Sequence, residues 1–105
     1  MPSINERSTA WLTITFKNKQ GNIQAPNSFR YRIDSNTGQS IRDWITISNP
    51  SGSHEITLAP SDNAIVGNRN SDAEEHTITI NAIFGPDQER NEVYTYKVVN
   101  LNYIT

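Results

Sequence analysis

Apolar and polar positions alternate with a period of two through most of this chain, the mark of strands that bury one face. Residues 9–17 put Ala10, Leu12, Ile14 and Phe16 on one side and Trp11, Thr13 and Thr15 on the other. Residues 28–34 turn Phe29, Tyr31 and Ile33 inward and Arg30 and Arg32 outward. Residues 40–48 are rich in isoleucine, yet Trp44 and Ile45 fall on opposite parities, which predicts a bulge or a strand covered on both faces. Residues 54–59 point Ile56 and Leu58 inward, and Pro60 ends the run because it removes a ladder donor. The strongest pattern is 75–84, where His76, Ile78, Ile80, Ala82 and Phe84 share a face opposite Thr77, Thr79 and Asn81. Residues 92–101 supply the last strand.

The intervening segments carry turn chemistry. Residues 18–27 read as a loop with a short extended piece around Ile23, and Ser35-Asn36-Thr37-Gly38 as a turn. Asn49-Pro50-Ser51-Gly52-Ser53 is a strong break. Ser61, Asp62 and Asn63 are capping residues ahead of Ile65 and Val66, so one helical turn over 61–66 is expected to cross an end of the fold. Residues 67–73 read as polar loop and 85–91 as a hairpin loop. The expected architecture is an all-β, antiparallel immunoglobulin-like sandwich of about seven strands with one short helical turn. It comprises an N-terminal arm (1–8), the sandwich (9–101) and a C-terminal tail (102–105).

A length of 105 residues fits one domain. Mean hydropathy is low at −0.64, but the apolar residues are gathered into alternating runs, which argues against disorder and for a thin two-layer core. The formal net charge of −2, with Arg30, Arg32 and Arg42 as the one close basic group, gives no face for phosphates, so nucleic acid is not an expected partner. Those arginines interleave with Asp34 and Asp43, and cross-strand ion pairs are the reading. With no cysteine, disulfides, thiolate metal sites and a cysteine nucleophile drop out. The N-terminal residues lack the apolar stretch of a signal peptide, and no run approaches the roughly 20 residues of a membrane span. Synthesis in a cytoplasm and no membrane partner are therefore expected.

Catalytic chemistry finds little footing. The histidines are His54 and His76; no Gly-x-Ser-x-Gly elbow exists, and His76 lies on the apolar parity of a strand, so no catalytic residue is assigned. Asp62 and Asn63 with Asp72, Glu74 and Glu75 could in principle supply oxygen ligands to calcium, but the spacing is not that of an EF-hand, and a cap followed by a solvated acidic loop is the simpler reading. Two histidines without cysteine make zinc a poorer reading still. No metal or cofactor is expected.

The aromatic residues are more informative. Trp44 matches the place where immunoglobulin-like sandwiches bury a tryptophan in the third strand. Trp11 is on the outward parity of the first strand and is the best candidate for a contact surface. The first and last strands would also leave unpaired backbone groups at sheet edges unless a neighbour covers them, and strand addition would use those groups.

Residues 56–60, Glu75-His76-Thr77-Ile78-Thr79-Ile80-Asn81-Ala82 and Val93-Tyr94-Thr95-Tyr96-Lys97-Val98 resemble the last three strands of fibronectin type III and related immunoglobulin-like domains. His76 stands near the position where those domains carry an aromatic residue, so their tyrosine-corner hydrogen bond does not carry over. Across residues 9–101 the chain is also similar to small proteins encoded in the virion structural modules of tailed phages. The segments that carry this are Phe29-Arg30-Tyr31-Arg32-Ile33-Asp34, Ile41-Arg42-Asp43-Trp44, 56–65 and 94–101. That resemblance implies a non-enzymatic virion protein. The expected role is a capsid decoration or cement subunit, oligomeric in the particle, docked on the major capsid protein or another virion protein. The alternatives are a neck or tail accessory protein, or a carbohydrate-binding module for a host surface. Met1, Pro2, Ile4, Trp11, Tyr103 and Ile104 are the expected interface residues.

Overall fold

The computed structural model describes residues 2–67 and 72–101. Its strands are β1 (Ser3–Asn5), β2 (Ala10–Thr15), β3 (Ser28–Ser35), β4 (Ser40–Ser48), β5 (Ser53–Leu58), β6 (Ala73–Gly85) and β7 (Gln88–Val99), with a 3₁₀ turn at Pro60–Asn63. Five strands form one sheet in the order β1-β7-β6-β3-β4, and β2-β5 forms the second. If β1 to β7 take the letters A, B, C, C′, E, F and G, the large sheet is A-G-F-C-C′ and the small one B-E. This is a β-sandwich in which the first strand pairs with the last.

That contact adds a parallel pair, β1 with β7, to an otherwise antiparallel fold. Part of the expected N-terminal arm is thus a strand. Pro2 accepts the N–H of Lys97 at 2.9 Å and Glu6 donates its N–H to Val99 at 3.0 Å, which extends the ladder past both ends of β1. Arg7, at φ 55°, then turns the chain towards the other sheet. The turn is held from below: Asn63 accepts the N–H of Arg7 on its carbonyl at 2.8 Å and donates its side-chain amide to Ser8 at 2.6 Å.

The core lies between the two sheets, where the inward rows predicted from periodicity meet. Phe29, Ile33, Ile78 and Val98 are at most 1% exposed, with Ile56 and Leu58 of the small sheet packed over them. Burying each such side chain is worth about 1.5–3 kcal/mol. Phe16 joins Phe29 and Phe84 at ring separations of 5.2 and 6.3 Å and closes the far end.

Four local expectations change on folding. The helical turn is shorter and earlier, at Pro60–Asn63, because Asp62 turns back to accept the N–H of Ala59 at 2.8 Å and the chain then runs extended through Ala64. The expected loop over 85–91 shrinks to Pro86 and Asp87, with Asp87 at φ 59°, as β6 and β7 pair out to Gly85 and Gln88. The bulge in β4 is present as a register shift against β3 between Tyr31 and Ile33, but it turns Trp44 to the outer face. Trp44 is half-buried there, with the Arg30 guanidinium 4.2 Å from its ring centre, and the central inward places of β3 belong to Phe29 and Tyr31.

The fourth change is in the ion pairs. Arg32 pairs along its own strand with Asp34 at 2.9 and 3.0 Å, and Arg42 makes a two-pronged bond to Asp62 at 2.7 and 2.9 Å. Asp62 is therefore a buried tie between β4 and the 3₁₀ turn, and not part of a solvated loop. The extended piece expected around Ile23 is a single bridge from Lys17 to Ile23.

Candidate functional site

A sandwich with five strands on one side and two on the other cannot cover both faces equally. β2 and β5 roof only part of the large sheet, and the row that β7 turns inward runs out beyond them. Tyr94 lies opposite Ile78, on the core-facing side, and is still 44% exposed. Trp11, on the outward row of β2, is 64% exposed. Between them is a groove of 170 Å³ whose walls come from Pro2 and Ile4 of the N-terminal segment, Trp11 and Leu12 of β2, and Tyr94 of β7, with Ile78 and Tyr96 at the bottom.

Three of the predicted interface residues, Pro2, Ile4 and Trp11, are thus brought together on one apolar groove. Met1, Tyr103 and Ile104 lie outside the described residues. Tyr94 is the member that sequence reasoning missed. Its parity with Tyr96 and Val98 marks it as inward, and only the narrowness of the second sheet leaves it open.

The groove continues as a seam along β2. A second hollow of 120 Å³ lies between Ile14 and Phe16 above and Ile80 below, with Arg90 and Glu92 of β7 at its rim. A third, of 380 Å³, opens at the far end among Lys17, Lys19, Gln24, Phe84 and Arg90. Apolar character is concentrated at the Trp11 end, and the Lys17 end carries a net positive charge, Lys17, Lys19 and Arg90 against Glu89.

Beneath the groove is a sealed polar cluster. Tyr96 donates its hydroxyl to Asn63 at 3.1 Å and stands 3.4 Å from His76 Nδ1. His76 Nε2 is 2.6 Å from Glu74 Oε2, and Glu74 also accepts the N–H groups of Val66 at 3.1 Å and Gly67 at 2.7 Å. Burial raises the Glu74 carboxyl, but the bonds from His76, Val66 and Gly67 outweigh it and hold the group below its ordinary value. Burial pushes the Tyr96 hydroxyl well up. A histidine beside a carboxylate has the parts of a general base, and here His76 has no exposed surface.

His54 packs edge-on against the Phe29 ring at 5.2 Å. The oxygen ligands considered for calcium are not assembled: Asp62 is held by Arg42, and Glu74 by His76 and two backbone amides. Among the described residues no group of three metal-ligating side chains converges.

No family model, curated protein or solved structure matches this chain.

Proposed function

We propose that this chain is a non-enzymatic assembly module that docks onto another protein through the groove between Trp11 and Tyr94. The observation that carries the proposal is the exposure of those two rings on either side of an apolar hollow. Large aromatic side chains standing in water beside an unfilled groove are the composition of an interface centre. The resemblance to phage structural proteins supplies the setting: a virion, with capsid decoration as the first placement and a neck or tail ring as the second. The work done is energetic, with modest buried area repeated by the symmetry of a lattice and no chemical step.

A second reading has one observation in its favour. Flat Trp11 and Tyr94 faces beside a groove also suit stacking on sugar rings. Trp11→Ala separates the two. A central interface tryptophan contributes about 2 kcal/mol or more, roughly thirtyfold in affinity. Loss of that order in particle binding, measured by co-sedimentation with particles lacking this subunit, supports docking. Unchanged particle binding with loss on a glycan array supports the carbohydrate module and overturns the first reading.

A further inference from the structure

Among the described residues five strands border open edges: β1, β4 and the 88–96 length of β7 that β1 does not reach in the large sheet, and β2 and β5 in the small one. Four of them are guarded. β1 is three residues long, β4 carries Arg42 and Asp43 and shifts register, the open length of β7 carries Glu89, Arg90 and Glu92, and β5 carries His54 and Glu55. Shortness, charge and bulges are the means by which sheets refuse another strand. β2, Ala-Trp-Leu-Thr-Ile-Thr, has none of them: six residues, no charge, no proline, and a register against β5 without a shift.

The phase of its ladder follows from one bond. Phe16 donates its N–H to Gly52 at 2.8 Å. Counting back by twos, Ile14, Leu12 and Ala10 face β5, so Trp11, Thr13 and Thr15 turn their N–H and C=O groups to the open edge. Below that edge lie the hollows of 170 and 120 Å³, one beside Leu12 and the next beside Ile14. Two residues along a strand is about 7 Å, which is also the spacing of successive side chains on one face of an added strand.

Charge decides the occupant. Arg7 stands at one end of β2, at the other Lys17, Lys19 and Arg90 outnumber Glu89 and Glu92, and β2 itself is uncharged. A second copy pairing antiparallel would set Arg7 against those lysines, which is repulsive. A strand with carboxylates at both ends is attracted.

We infer that the outer edge of β2 accepts an extended segment of the partner protein, about six residues alternating apolar and polar, flanked by acidic residues. This rests on the docking reading and specifies its mode: the inserted strand fills both hollows from its inward side chains and lies against Trp11 with its outward ones.

The test uses the full chain and a synthetic peptide of six alternating valines and threonines between two aspartate pairs, with amide exchange read residue by residue by NMR. The amides of Trp11, Thr13 and Thr15 are expected to slow by about tenfold or more on binding. Affinity should fall with salt, and a peptide with lysines replacing the aspartates should bind about tenfold more weakly. Thr13→Pro removes the central outward N–H without touching a bond to β5, so the peptide should no longer bind, whereas Thr13→Val should bind normally. If the proline variant does not fold, Thr13→Asp, which sets a charge of the same sign as the peptide's flanks on the strand, should weaken binding about tenfold or more in its stead.

Absence of peptide binding at millimolar concentration, or binding that leaves those three amides unprotected, would overturn the inference. Protection that rises with protein concentration and needs no peptide identifies a second copy as occupant and also overturns it. Particle docking lost in Trp11→Ala but kept in Thr13→Pro removes strand addition and leaves the docking surface standing. Docking kept in both variants removes both.

Discussion

Glu74→Gln is the most demanding single test of how this fold is held together. The substitution preserves side-chain volume at a position 5% exposed and removes a charge that serves three partners. In the native protein the two carboxylate oxygens accept the N–H groups of Val66 and Gly67, and one of them contacts His76 Nε2 at 2.6 Å. Glutamine offers one accepting oxygen and one amide that only donates, so at least one buried backbone N–H is left facing a donor. A hydrogen bond to a charged group contributes about 1.5–3 kcal/mol, and an orphaned buried donor costs about as much. The expected loss is about 2–3 kcal/mol at neutral pH. For a domain of this size each kcal/mol moves Tm by roughly 4–8 °C, so a fall of roughly 10–20 °C is expected.

The pH dependence makes the test specific. The Glu74 carboxyl is held below its ordinary value in the fold, so its contribution is fully present above that ordinary value of 4.5 and is lost as pH falls through the folded value. Once protonated, the native side chain is as neutral as glutamine. The stability difference between wild type and E74Q should therefore be larger near pH 7 than near pH 3, where the unfolded carboxyl is protonated. Urea unfolding followed by circular dichroism at both pH values measures it. An equal difference at the two values, or a difference under about 0.5 kcal/mol at pH 7, would refute the assignment of Glu74 as the charged hub of the cluster.

Two further outcomes follow from the same cluster. Tyr96→Phe deletes the hydroxyl that Asn63 accepts and leaves a buried amide oxygen short of a partner; a loss of about 1–2 kcal/mol in chemical unfolding is expected. Gly67→Ala would place a methyl carbon 2.6 Å from Glu74 Oε1 and 2.6 Å from Thr37, displacing the carboxylate from the Gly67 N–H. A destabilisation of about 1–3 kcal/mol is expected, together with a weaker pH dependence than wild type in the same titration.

Much of the fold is legible in the chain because period-two alternation reports directly which side of a strand meets the core. Ala10 to Phe16, Phe29 to Ile33 and His76 to Ala82 all face as their parity dictates. Parity does not report how wide the opposing sheet is. Tyr94 has the pattern of a core residue and stands in solvent because two strands roof a five-stranded sheet. Nor does it report side-chain reach: Arg42 sits near Asp43 in sequence but spans to Asp62 at the opposite end of a crossing connection. Polar alternation hides strands as well. Gln88 to Asn91 carry no apolar signal, and they pair because the tight turn at Pro86 and Asp87 aligns them with β6. The arm carries the weakest signal, since Ser-Ile-Asn holds one apolar residue and becomes a strand only because the edge of β7 is there to receive it.

That last pairing connects the fold to its proposed use. In a sandwich of this kind the first strand can lie beside the second or cross to the last. By crossing, β1 covers the edge of β7 at Lys97, Val98 and Val99 and places Pro2 and Ile4 at the mouth of the groove. The same choice leaves β2 bare. An uncharged six-residue edge beside exposed aromatic rings is an aggregation hazard for a protein that spends its life alone. It is consistent instead with a chain whose β2 is covered for most of its working life, and whose charges at the two ends of that edge select what covers it.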